Sequence, residues 1–215
     1  MTADCTPPTA SQYYGSIRLD LVAWLPRPLG AVLDIGCGEA ATAAPLRAAG
    51  AKSITGIEVV PEAAEIARGR LDAVLVGPVE TQIEHLSGPF DTIVAWDVLE
   101  HLVDPYSLLR RLRDVATPGA HVQISVPNAR HVSLMRDLVL KGTFGYADWG
   151  HRDRTHLRWF TRRDVLRMLT ENGWDPIGTS HPRLVRSAAL DRLTHGRSTE
   201  FLVGQWYALG RRTPD

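Results

Sequence analysis

The chain has 215 residues, 44% of them hydrophobic and 22% charged, with Lys plus Arg and Asp plus Glu at 24 each. That length and mix fit one globular domain around a single core. The charge balance excludes a global basic field that would draw the chain to nucleic acid or to an acidic membrane surface.

Residues 1–12 read as a loose polar lead. Met1 to Pro8 lacks the positive-then-apolar order of a secretory signal. Cys5 and Cys37 show no Cys-x-x-Cys spacing, so neither a disulfide framework nor a thiolate metal cluster is expected, and a cytoplasmic location is. No apolar stretch is long enough to span a bilayer. Ile17, Leu21, Val22 and Leu25 predict an amphipathic helix, stopped by Pro26 and Pro28. Residues 31–35 form a short apolar run that ends in Gly and reads as a buried strand. The Ala- and Leu-rich stretch 39–49 predicts the next helix, closed by Gly50. Strand 53–58, helix 61–71 with Pro61 near its start, strand 73–76 and strand 91–96 follow. Pro105 opens a helix to about residue 116, and Pro118-Gly119 turns the chain into strand 120–126.

Strands alternating with helices of about ten residues are the pattern of a mostly parallel sheet covered on both faces. Beyond Pro127 the pattern changes. A helix is expected near 131–140 and an irregular stretch over 146–160. Thr161 is placed as the cap of a helix over 162–171 that Asn172-Gly173 ends. Two further strands are expected near 174–179 and 201–210, with a basic amphipathic segment at 183–193 between them. The runs Arg110 to Arg113, Arg162-Arg163 and Arg211-Arg212 read as solvated faces.

The chemistry concentrates in three places. Leu33-Asp34-Ile35-Gly36-Cys37-Gly38 joins a strand to a helix. Glycines there let the backbone turn sharply and approach a ligand, and the helix start offers free N–H groups. Glu58, at the end of the next strand, is placed to accept ribose hydroxyls of a nucleoside. The stretch Trp149 to Thr161 is dense in His, Arg and aromatic residues. A nicotinamide-dependent oxidoreductase shares the first two features. It calls for Gly-x-Gly-x-x-Gly, however, and the last of those positions is Ala41. A non-catalytic partner domain that keeps the fold is the other alternative.

Four segments carry a resemblance. They are Val32 to Gly38, Ile54 to Glu58, Phe90-Asp91-Thr92-Ile93-Val94-Ala95-Trp96-Asp97-Val98-Leu99-Glu100-His101-Leu102, and Leu112 to Ala120. Together they resemble the class I S-adenosylmethionine-dependent methyltransferases of the small-molecule, UbiE/UbiG-like kind, over roughly residues 13–179. The resemblance implies an α/β three-layer sandwich with a mostly parallel seven-stranded sheet, Rossmann-like, forming a single domain whose stretch 128–160 lies on the substrate side. It implies S-adenosylmethionine as cofactor and methyl transfer to a small molecule, most readily at oxygen, with nitrogen and carbon open. A monomer or homodimer is expected, with no nucleic acid, membrane or metal.

By the same resemblance, Asp34, Gly36, Cys37 and Gly38 line the methionine and ribose side, Glu58 holds the ribose, and Val59 packs on the adenine. Pro78 and Val79 lie at the adenine edge. Ala95 and Trp96 lie beside the methionine portion, His101 sits just beyond it, and Tyr13 and Tyr14 close over the cofactor. Two positions depart from the family pattern: Glu39-Ala40 stands where another Gly is usual, and Gly77-Pro78 where an Asp usually meets the adenine amine. His156 is the candidate general base, with His151 and His131 as competitors. Asp97 either orients the acceptor or caps a short helix after it. Tyr146, Trp149, Arg154 and Arg158 are candidate substrate contacts. Trp159 is a further aromatic wall, and Arg152 a further partner for an acidic acceptor.

Overall fold

The computed structural model describes residues 15–182, 194 and 197–214. Seven strands form one sheet: β1 (Gly30–Ile35), β2 (Ala51–Glu58), β3 (Ala73–Val76), β4 (Phe90–Trp96), β5 (Ala116–Pro127), β6 (Trp174–Ser180) and β7 (Gln205–Arg212). Their spatial order is β3-β2-β1-β4-β5-β7-β6. All neighbours run parallel except β7, which is antiparallel to both β5 and β6.

Side chains alternate across the sheet, as the period of two requires. Leu33, Ile93, Ala95, Val122 and Ile124 face one core with Leu108 and Leu112 of α5 (Pro105–Asp114) and Val165 and Met168 of α7 (Arg162–Glu171). Val32, Val94 and Ile54 face the other. There they meet Val22 of α1 (Leu19–Trp24), Leu46 of α2 (Ala43–Ala48) and Ala67 of α3 (Pro61–Arg68). The expected three layers and mostly parallel seven-stranded sheet are what the chain forms.

Several boundaries differ from the sequence reading, each for a local reason. The helix expected from residue 39 starts at Ala43, because Gly38 and Ala40 both take left-handed backbone angles (φ 55° each) that no right-handed helix contains. Ala40 does this with a buried methyl group, at the position where the family pattern has Gly. A short helix, α4 (Val79–Gln82), follows Pro78 unannounced, because four residues are too few to show a period. The strand expected at 201–210 is a correction. Residues Thr199–Leu202 form a helical turn, α8, and β7 starts only at Gln205. Phe201 and Leu202 supply strand-like hydrophobicity, but Phe201 spends it under the guanidinium of Arg130. The helix near 131–140 is α6 (Val132–Lys141). Tyr13, Tyr14, Cys5, the lead 1–12 and the basic segment 183–193 lie outside the described residues.

Candidate functional site

The order of the strands reverses between β1 and β4, so the connections from these two strands leave on opposite sides and open a crevice at their carboxyl ends. The sequence-predicted cofactor residues arrive there from three neighbouring strands. β1 delivers Asp34 and the Gly36-Cys37-Gly38 turn, β2 delivers Glu58 and Val59, and β4 delivers Ala95 and Trp96.

The turn is built around Glu58. One carboxylate oxygen accepts the Gly38 N–H at 2.8 Å and the other the Val60 N–H at 2.9 Å, which binds the ends of β1 and β2 together. Each oxygen keeps a further lone pair for a ligand hydroxyl. Gly36 has φ 71°, and a Cβ placed on it would stand 2.6 Å from Val98 Cγ2. Only glycine lets the chain pass there. Asp34 lies buried beside Glu58. Burial pushes its carboxyl up to about 7, and the charge of Glu58 adds to the effect. Burial likewise pushes the Cys37 thiol up, which leaves it a packing group rather than a nucleophile.

The remaining cofactor candidates divide by exposure. Val59 is 59% exposed, an apolar platform at the end of β2. Val79 is buried in the core under α4, while Pro78 lies exposed before it. Ala95 is fully buried, backbone and side chain alike. The Trp96 indole turns toward the α1 side, where its N–H donates to Gln123 at 2.8 Å and Gln123 in turn donates to the Leu21 carbonyl.

Asp97 follows with φ 57°. It neither caps the turn after it nor presents a free carboxylate. Oδ2 pairs with Arg18, and Oδ1 accepts from Ser125 at 2.9 Å and from Gln205 at 2.8 Å. Arg18 also donates to Tyr207, whose hydroxyl donates to Asp20.

Next comes a 3-10 turn, Leu99–His101. The Glu100 carbonyl accepts the Leu157 and Arg158 N–H groups at 2.7 and 3.0 Å, pinning the His-rich stretch over the end of β4. His101 and His156 meet edge to face, 4.8 Å between ring centres. His156 is buried, and burial with His101 beside it holds its imidazole below the ordinary histidine range. Burial pushes the Glu100 carboxyl well above its ordinary range, helped by Asp97. Glu100 Oε2 and His156 Nδ1 are buried and find no hydrogen-bond partner among the described residues. The histidine spacing predicts no metal site, yet a carboxylate oxygen and two imidazole nitrogens of Glu100, His101 and His156 converge within 4.8 Å of one another, a set whose atom types suit a divalent cation.

His151 lies apart from this group. It stacks on His131, its Nε2 sits 2.5 Å from the Gly204 carbonyl, and burial lowers its pKa. Tyr146 is exposed and packs on Phe144, which also meets Trp159. Trp149 is 38% exposed. Arg154 pairs with Asp148 at 2.7 Å, and Arg158 holds the Val103 carbonyl. Arg152 is committed to Asp137 at 2.7 Å. Sequence reasoning missed Arg18, Glu100, Asp153 and Thr155 as site residues. For Glu100 the signal was an acid inside the apolar run Val98 to Leu102. Cavities of about 460 and 340 Å³ lie at the other end of the sheet, beside Gly119 and Arg211 and beside Arg110 and Glu171, away from the Gly-rich turn.

A family profile described as a methyltransferase domain matches residues 9–178. The chain belongs to that family. Its sheet has the class I methyltransferase architecture. The ubiquinone biosynthesis O-methyltransferase of Xanthomonas axonopodis pv. citri (strain 306) is 29% identical over 149 residues, 62% of each chain. That of Bordetella bronchiseptica is 33% identical over 114 residues, 50% of this chain and 47% of the relative. The chain thus spans less than two thirds of the length of these relatives. Among solved structures, a SAM-dependent methyltransferase from Archaeoglobus fulgidus superposes with TM-score 0.66 at 15% identity, covering 94% of this chain and 97% of that one. The magnesium protoporphyrin IX methyltransferase of Synechocystis PCC 6803, with bound SAH, superposes with TM-score 0.60 at 18% identity, covering 91% and 81%. At such identities the likeness is one of fold.

Proposed function

We propose that this methyltransferase-domain chain binds S-adenosylmethionine at the ends of β1, β2 and β4 and transfers its methyl group to an oxygen of a small molecule. The observation that carries this reading is the junction of Glu58 with the Gly36–Gly38 turn at the reversal of strand order. It supplies an acid for ribose hydroxyls beside a tight turn in which a side chain at Gly36 would run into Val98. Two buried acids, Asp34 and Glu58, suit a cationic ligand. An oxygen acceptor is supported by the relatives named as O-methyltransferases.

The cofactor supplies an electrophilic methyl on a charged sulfur. The chain's own part is to hold that methyl in line with the acceptor, to keep the site dry and to take a proton. Tyr146, Trp149 and Trp159 offer aromatic surface for a planar acceptor.

Calorimetric titration with S-adenosylmethionine and with NADH decides the cofactor. Binding of the first alone is expected, and binding of NADH alone would sink the reading. Formation of S-adenosylhomocysteine with a panel of phenols, amines and carboxylates then separates an enzyme from a binding domain.

A further inference from the structure

Two polar side chains just past β4 are buried without the partners that burial demands. Glu100 is 1% and His156 7% exposed, yet Glu100 Oε2 and His156 Nδ1 meet no hydrogen-bonding group among the described residues. A buried polar atom left this way costs stability unless a ligand satisfies it. One carboxylate oxygen of Glu100 and one ring nitrogen each of His101 and His156 lie within 4.8 Å of one another. Donors on one zinc ion, at about 2.1 Å, stand roughly 3.4 Å apart in a tetrahedron, so each pair closes by at most about 1.4 Å to share an ion. His101 is partly exposed, which gives the ion an entry path.

The surroundings favour a cation. Asp97 and Asp153 both lie near enough to repel the Glu100 carboxylate, and the cation that faces it, Arg18, is paired with Asp97. Asp97 is itself spoken for by Arg18, Ser125 and Gln205, so it stands outside the set. The His101 ring is held as a metal ligand requires. The Thr155 hydroxyl donates its one hydrogen to Oδ1 of Asp153 at 2.7 Å, and it lies 3.1 Å from Nδ1 of His101. It therefore meets the ring as an acceptor, so Nδ1 carries the hydrogen and Nε2 the lone pair. A carboxylate that acts through the far nitrogen in this way orients imidazole ligands in metal sites. The backbone joins the two halves of the set: the Glu100 carbonyl accepts the Leu157 and Arg158 N–H groups, and the His156 N–H reaches the Asp153 carbonyl at 3.1 Å.

We propose that Glu100, His101 and His156 form a binding site for a divalent transition-metal ion, with Thr155 and Asp153 as positioning residues behind His101. Two imidazoles and one carboxylate select zinc, cobalt or iron(II) over magnesium, which takes oxygen ligands and gives up its water reluctantly. Three protein ligands leave a further position for water or another oxygen ligand. The ion ties the turn after β4 to the His-rich stretch. The site goes beyond the methyl-transfer reading and stands or falls without it.

The full chain, stripped with EDTA and dialysed, is titrated with zinc by calorimetry and with cobalt by visible absorption, neither of which needs turnover. One ion per chain is expected, with the d–d absorption of a four- or five-coordinate cobalt site, and zinc should bind more tightly than magnesium. Glu100→Gln and His101→Ala should each abolish the cobalt spectrum. Thr155→Val should weaken zinc binding by about 10–100-fold, the usual effect of losing the group behind a ligand, and Thr155→Ser should restore it. His85→Ala, which removes an exposed histidine elsewhere, should bind as the wild type does. Circular dichroism of each variant tells a lost site from a lost fold. Should Glu100→Gln fail to fold, His101→Ala decides, since its side chain is only partly buried. No one-to-one binding of zinc or cobalt, tighter binding of magnesium, or unchanged binding in a folded Glu100→Gln or His101→Ala overturns the proposal. Unchanged zinc affinity in Thr155→Val overturns the positioning role of Thr155.

Discussion

Glu58 holds two backbone donors of its own chain and is proposed to hold the ribose as well, so its loss acts twice. Glu58→Ala should weaken S-adenosylhomocysteine binding by about 1–3 kcal/mol, the scale of a lost charged hydrogen bond, with a modest fall in Tm as the turn loosens. Unchanged affinity by calorimetry would remove Glu58 as the ribose ligand. Asp34 makes a proton-linked prediction. Its carboxyl, raised to about 7 by burial and by Glu58, keeps a proton in the folded chain that the unfolded chain gives up at ordinary carboxylate pH. The stability it allows is therefore greatest in acid and falls as pH rises from about 4 to about 7. A bound cation favours the ionised form, so S-adenosylmethionine affinity should strengthen from about pH 6 to about pH 8, with a proton released. Titration heats that do not depend on the buffer's ionisation enthalpy would put Asp34 away from the cofactor's charge. The Gly-rich turn and Glu58 were legible in the sequence because each stands at the end of its own apolar strand, 20 residues apart in one βαβ unit. Thr155 was not. Its hydroxyl meets His101, 54 residues away, a contact that no periodicity encodes.

Elements were readable where a local device sets their ends. Thr161 and Asp164 form a reciprocal cap in which each side chain accepts the other's backbone N–H, at 3.3 and 3.1 Å, and α7 starts where that pair predicts. Thr161→Ala should cost about 0.5–2 kcal/mol of stability, measured by urea unfolding, and leave cofactor affinity unchanged because the cap lies beyond the site. A fall in affinity that matches the fall in stability would mean that α7 also positions the His-rich stretch before it. The sequence misled where hydrophobicity was spent on something other than the sheet. Phe201 and Leu202 look like strand residues, but the chain turns through them before β7 begins, and the Phe201 ring lies 4.3 Å from the Arg130 guanidinium. The start of α2 was hidden in a different way. Ala40 has excellent helix propensity, yet the turn after Gly38 sets it at φ 55°, so tertiary geometry overrides preference there.

At the scale of the molecule, β7 runs antiparallel between β5 and β6 and carries Gln205 and Tyr207 to the end of β4. Arg18, just before α1, reaches the same point, so two distant parts of the chain close on Asp97. The sequence placed Asp97 near the methyl or on a helix cap because Arg18 lies 79 residues away and nothing local marks the pair. The side chains are 19% and 30% exposed, so the pair is neither a surface ion pair nor a fully dehydrated one. Removing one partner leaves the other charge half buried, so each single variant should lose more than the pair is worth. Arg18→Ala and Asp97→Ala should therefore be strongly non-additive. Their double-mutant cycle should give a coupling of about 0.5–3 kcal/mol in unfolding free energy, against near zero for distant sites. Asp97→Asn keeps an acceptor for Ser125 and Gln205 while removing the charge that faces Arg18, so it should lose most of that coupling with little change in the left-handed backbone, which Asn tolerates as Asp does. Additive losses would mean that Arg18 and Asp97 stabilise their own segments independently, and the closure of α1 on the end of β4 would then rest on Trp96, Gln123 and the Leu21 carbonyl instead.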